Sequence, residues 1–122
     1  MTDLSVLKLS RHFAEDRSER MEQFKEITAW DGTWGKVIAE RDNRSNPGTI
    51  MCLTTKGIVA IVAPSCNCLM TAFLASMPTA KFICYQHVPP KVAKRIEKNA
   101  EVFRRLYGLN YEDYCQNFRK KG

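Results

Sequence analysis

Residues 48–85, GTIMCLTTKGIVAIVAPSCNCLMTAFLASMPTAKFICY, carry only two charges, Lys56 and Lys81, in 38 positions. A run this apolar, broken by turn residues at short intervals, predicts a buried sheet. The punctuation divides it into Thr49–Thr55, a Lys56-Gly57 turn, Ile58–Ala63, a Pro64-Ser65 break, Cys68–Ala75, a Ser76–Ala80 connection and a last strand over Lys81–Tyr85. Upstream, Trp34–Arg41 alternates enough for another strand, and Asp42–Gly48 has loop chemistry throughout.

The flanks read as helical. From Ser5 to Thr28, Leu9, Phe13, Met21, Phe24 and Ile27 recur near one face, and Asp31-Gly32 ends the pattern. After Pro89-Pro90, a stripe of Val92, Ile96, Phe103 and Tyr107 is flanked by Lys91, Lys94, Arg95, Lys98 and Arg105, with Gly108 as the stop. Asn110 is placed to cap a last short helix. Helix, strands, then helices predicts an α+β fold: an N-terminal helix packed on a four- or five-stranded, mainly antiparallel sheet, with a basic C-terminal helical segment. At 122 residues the chain suits one domain, with a helix-plus-sheet core over 5–85 and a basic helical extension over 86–122.

Composition narrows the function classes. No stretch approaches about 18 uninterrupted apolar residues, so no membrane span is predicted. The N-terminus lacks a basic region followed by an apolar run, and five cysteines are an odd number, so a cytoplasmic protein is expected rather than a secreted disulfide scaffold. The net charge of +6 is unevenly placed: residues 1–80 hold nine Lys/Arg and nine Asp/Glu, residues 81–122 hold ten against four. The excess fits either a polyanionic partner or a solvated basic face. Glycine-rich phosphate loops and a Gly-x-Ser-x-Gly frame around Ser65 or Ser76 are absent, which leaves nucleotide-binding and serine-hydrolase readings without support.

The first helical pattern contains an anomaly. On a 100° wheel with Phe13 at the centre of the stripe, Arg17 falls near +40° and Arg20 near −20°, inside the apolar face. His12, Asp16 and Arg20 form an i, i+4 ladder along its edge. Buried guanidinium groups need partners, which Asp16 and backbone carbonyls supply in a structural reading. The functional reading is an anion pocket with His12 as acid or base.

Ser10-Arg11-His12-Phe13-Ala14-Glu15-Asp16-Arg17-Ser18-Glu19-Arg20-Met21 resembles the "S-x-H-A…R…R-I" helix that opens many toxin-type ribonucleases of the barnase/EndoU/colicin/RelE-like superfamily. Gly48–Thr55 with Ile58–Ala63 resembles its hairpin, and Cys68–Phe73 its closing strand; the resemblance spans about residues 5–76. It implies metal-independent RNA cleavage without a cofactor, in which the ribose 2′-OH attacks the adjacent phosphorus and leaves a 2′,3′-cyclic phosphate. Carried onto this chain, it gives His12 as acid/base, Arg17 and Arg20 on the phosphate, and Thr71 as a hydroxyl from the closing strand. Lys36 and Arg44 would help hold RNA, and Lys94, Lys98 and Arg105 would give the backbone a salt-sensitive track. A cognate protein inhibitor would be expected. The spacing from His12 to Arg17 is five where the family has four, which favours the rival reading of a binding or inhibitor module, phage-encoded for instance, that turns its basic helix toward nucleic acid or an acidic protein.

Other residues admit two readings. Cys66, Cys68, Cys84 and His87 offer four zinc ligands at an unusual spacing, against core thiols and a loop histidine; a zinc-stabilised binding domain is a third reading of the chain. His87 is also an alternative catalytic histidine. Trp30 and Trp34 suit either base stacking or closure of the core.

Overall fold

The computed structural model of the chain describes residues 1–11, 22, 25–28 and 31–108. Five strands, β1 (Lys8–Leu9), β2 (Val37–Asp42), β3 (Ile50–Thr54), β4 (Ile58–Ala63) and β5 (Cys68–Leu74), form one sheet in the order β1-β5-β4-β3-β2. Two helices follow, α1 (Met77–Ile83) and α2 (Pro90–Tyr107). The fold is α+β, and the sheet is mixed: β5-β4, β4-β3 and β3-β2 are antiparallel, while β1 lies parallel to β5.

Three expectations are corrected. The helix predicted from Ser5 is not borne out at its start: Leu4–Val6 form a 3-10 turn held by the Asp3 carboxylate, and Lys8–Leu9 pair with Cys68–Leu69 as an edge strand. Apolar spacing alone does not distinguish so short a strand from a helical turn, and the pairing partner is sixty residues away. That parallel edge also makes the sheet mixed, with three of its four pairings antiparallel. Finally, the Ser76–Ala80 connection and the Lys81–Tyr85 strand are in fact the single helix α1. Ser76 caps it by accepting a hydrogen bond from the Thr79 N–H at 3.3 Å, and Pro78 sits in its first turn, where a missing N–H costs nothing.

Both faces of the sheet are covered. On one, Leu53, Val59 and Ile61 pack with Ala80 and Ile83 of α1 and with Val92 and Ile96 of α2. On the other, Cys52, Ile58, Ala60, Val62, Leu69 and Ala72 pack with Leu4, Ile27 and Phe103. This two-sided burial is why β4, Ile-Val-Ala-Ile-Val-Ala, is apolar at every position. A register shift between Ile61 and Val62 lets Leu69 and Ala72 share a face despite their odd spacing.

The 86–108 segment is built into this core. Because α2 gives Val92 and Ile96 to one face and Phe103 to the other, it crosses the end of the sheet at the Lys56-Gly57 turn. Gly57 has φ +71°, and a Cβ there would meet the Asn99 amide nitrogen at 2.8 Å, so glycine is what allows the helix to sit this close.

Candidate functional site

Register lines up four residues on the α1 face: Arg41 opposite Met51, Met51 opposite Ile61, Ile61 opposite Thr71. The neighbouring row, Ala39, Leu53, Val59 and Phe73, lies toward the Lys56-Gly57 end, where the helices pack. Between α1 and the 43–48 loop the face opens into a groove of about 710 Å³. Met51, Ile61 and Phe73 form its floor, Pro78, Thr79 and Phe82 one wall, and Asn43, Arg44 and Ser45 the other.

The loop wall is built by local hydrogen bonds. The Asn43 N–H donates to the Thr49 carbonyl at 3.0 Å, the Asn46 N–H to the Asn43 carbonyl at 3.2 Å, and the Ser45 N–H to the Asn43 side chain at 3.3 Å. This Asx-type closure, with Gly48 at φ +89°, turns the chain back into β3 and leaves Arg44 on the outside. Arg44 also borders a second hollow of about 470 Å³, lined in part by Asp42, Thr49 and Pro64.

At the β2 end of the row, Arg41 is half-buried and held on three sides. Its Nη1 donates to the Phe82 carbonyl at 2.8 Å, and its guanidinium carbon lies 3.9 Å from the Phe82 ring centre and 4.3 Å from that of Tyr85. The carbonyl is one that the end of α1 exposes, so the cation also meets the negative end of the helix. Among the described residues no carboxylate pairs with Arg41. One of its five donors is used, which leaves a fixed cation beside the groove.

The residues singled out in the sequence are distributed as follows. His12, Arg17 and Arg20 lie outside the described residues, as does Trp30. Just before them, the Ser10 hydroxyl donates to the Met70 carbonyl at 3.0 Å and the Ser10 N–H to that of Leu69 at 2.9 Å, so the chain that leads into His12 is anchored beside Thr71. Thr71 ends the four-residue row and Arg44 stands on the groove wall. Lys36 donates its backbone N–H to the Thr55 hydroxyl, which places it at the Lys56-Gly57 end, opposite Arg44. Lys94, Lys98 and Arg105 are exposed on α2, at that same end, and Arg105 is paired with Glu101 at 2.9 Å. The structure thus places Thr71 and Arg44 by the groove and the other four described basic candidates away from it. Trp34 packs against the core of the face opposite α1.

Cys66 is exposed beside Pro64, Cys68 opens β5, and Cys84 is not in a strand but at the end of α1, with exposed His87 beyond it. Among the described residues no three His, Cys, Asp or Glu side chains gather as a metal site. Interaction with Cys66, then burial, raises the Cys68 thiol, and burial raises Cys84. Burial pushes the Cys52 thiol up to about 11. Thiolate chemistry is disfavoured at all three.

Sequence reasoning passed over Arg41, Phe82 and Tyr85. Arg41 falls at the end of a predicted strand with nothing to distinguish it from a solvent-facing cation, and its aromatic partners lie more than forty positions away. No family model matches the chain, and neither a curated protein nor a solved structure matches it. Among the described residues no helix is long and apolar enough to cross a membrane.

Proposed function

We propose that the chain is a metal-independent endoribonuclease of the toxin type, and that RNA lies in the groove between α1 and the 43–48 loop. One observation carries the reading: a groove with an apolar floor has Arg44 on one wall and, behind the Phe82 of the other, Arg41, held by the Phe82 ring and carbonyl and unpaired with any described carboxylate. Apolar surface accepts bases and sugars, and guanidinium groups match phosphate geometry.

In this mechanism His12, two residues beyond the Ser10 anchor, takes the proton of the ribose 2′-OH. The 2′-oxygen then forms a bond to phosphorus as the bond to the 5′-oxygen breaks, and that leaving oxygen takes a proton from an acid. Arg41 and Arg44, with Arg17 and Arg20, answer the charge that grows on the phosphoryl oxygens, and the Thr71 hydroxyl donates to one of them. A cognate protein inhibitor is part of the proposal. The test is incubation of the protein with total RNA in EDTA, beside His12→Ala and Arg41→Ala. Cleavage by the parent chain with cyclic 3′ ends, lost in His12→Ala and reduced at least tenfold in Arg41→Ala, supports it; a folded protein without cleavage at high concentration overturns it.

A second reading, a non-enzymatic binding or inhibitor module, draws on the exposed Lys91, Lys94 and Lys98 of α2, which stand apart from the groove. It predicts salt-sensitive binding to nucleic acid, or to an acidic protein, with no cleavage.

A further inference from the structure

Tyr85 has an unusual placement for a large side chain. It is 62% exposed, and its backbone is left-handed at φ +53°, followed by Gln86 at φ +74°. These two residues close α1: the Gln86 N–H donates to the Lys81 carbonyl at 2.7 Å, a C-terminal cap in which the left-handed position ordinarily belongs to glycine. A bulky aromatic there is disfavoured, so local structure does not account for tyrosine. What the conformation achieves is orientation. One face of the ring lies on the Arg41 guanidinium, which lies on Phe82, so the ring is held against a rigid stack with its other face in solvent.

We propose that the outer face of Tyr85 is a stacking platform for an unpaired RNA base, with Arg41 beneath it binding the adjoining phosphate. This rests on the ribonuclease reading and deepens it by naming the substrate class as single-stranded rather than duplex RNA. Three features favour that occupant. The exposed ring offers a π face that any base can cover, the guanidinium next to it has donors to spare, and Phe82 and Met51 carry the surface directly into the groove, with Arg44 on its far wall. A duplex keeps its bases inside the stack and leaves the ring uncovered. Tyr85 lies beyond the span of residues 5–76 that carries the ribonuclease resemblance, so the platform is an addition belonging to this chain.

The experiment measures binding of a 2′-O-methyl RNA strand, which lacks the attacking hydroxyl, and of its duplex, to the parent chain, Tyr85→Phe, Tyr85→Asn and Arg41→Ala. Cleavage of unmodified RNA is followed in parallel. Asparagine tolerates the left-handed backbone, so Tyr85→Asn removes the ring without forcing the turn open, and an unchanged melt verifies this. Tyr85→Phe binds the single strand within about twofold of the parent, while Tyr85→Asn loses about tenfold on the single strand, none on the duplex, and keeps the salt dependence. Arg41→Ala lowers the slope of log affinity against log salt by about one. Single-strand affinity unchanged in Tyr85→Asn overturns the platform, and if the parent chain still cleaves, the ribonuclease reading stands without it. Ring-dependent single-strand binding without any cleavage supports the platform and overturns the nuclease. Failure of the parent chain to bind the strand overturns the platform, and if unmodified RNA is not cleaved either, it overturns both.

Discussion

Asn99 is 1% exposed, and its burial is answered at both ends of its amide. Its Nδ2 donates to the Lys56 carbonyl at 2.9 Å, and its Oδ1 accepts from the Arg95 Nε at 3.0 Å, while Arg95 Nη2 reaches the Ile27 carbonyl at 3.1 Å. One side chain therefore ties α2 to the β3-β4 turn and, through Arg95, to the segment around Ile27. Truncating it takes the amide off the Lys56 carbonyl, strips Arg95 of its Nε acceptor and opens a void above Gly57. Asn99→Ala should cost about 2–4 kcal/mol, read as a lower urea midpoint at unchanged m value. On the surface of the same turn, Asp31 is held down to about 2 by its hydrogen bond from Lys56 and, secondarily, by Thr33. A carboxyl whose folded value is depressed contributes stability that is complete above its ordinary 3.8 and fades as pH falls toward about 2. Asp31→Asn should therefore melt lower than the parent at pH 7, with the gap closing between about pH 4 and pH 2; a gap that persists at the acid end would show that Lys56 is not its source.

Among the elements, α1 decides whether the groove exists, because its C-terminal carbonyl and Phe82 ring hold Arg41 and its first turn supplies a wall. It has only seven residues, too few to be stable by its own hydrogen bonds, so its cap and its packing through Ala80 and Ile83 carry it. Ser76→Ala removes the side-chain acceptor from the Thr79 N–H and should cost about 1 kcal/mol in a thermal or urea melt. RNA affinity should weaken more in this variant than in a surface control. The same element marks where sequence reading fell short. Strands β3 to β5 were legible because each is an apolar run bounded by Gly, Pro or Asn, β2 because its residues alternate ahead of a polar loop, and α2 because eighteen residues display a full stripe between Pro90 and Gly108. Seven residues hold barely two turns of pattern, so Phe82, Ile83 and Tyr85 passed for strand, and the Ser76 cap with Pro78 was the available signal. At the site, Thr71 and Arg44 were nominated from the sequence and adjoin the groove; Arg41 and Tyr85 were not, because their significance comes from contact between β2 and the end of α1.

At the scale of the whole molecule, the cations nominated for RNA among the described residues fall in two separate places. Arg41 and Arg44 flank the groove toward the 43–48 loop, whereas α2 lies over the Lys56-Gly57 turn with Lys94 and Lys98 facing solvent, the length of a strand away. Five residues of extended chain span about 17 Å, beyond a Debye length of about 8 Å at physiological salt, so the two sites act on each other only through a ligand that reaches both. This separates them functionally. Reversing charge on α2 with Lys94→Glu and Lys98→Glu should leave the groove intact, so a trinucleotide should bind and turn over as with the parent chain. A long RNA that reaches α2 as well should bind more weakly, with a salt slope shallower by about two, and its KM should rise while kcat holds. If the double variant lowers kcat on the trinucleotide, the basic face of α2 belongs to the reacting centre and the RNA path must cross the Lys56-Gly57 end of the sheet. If long RNA is unaffected as well, the lysines are a solvated surface, and binding is confined to the groove between α1 and the 43–48 loop.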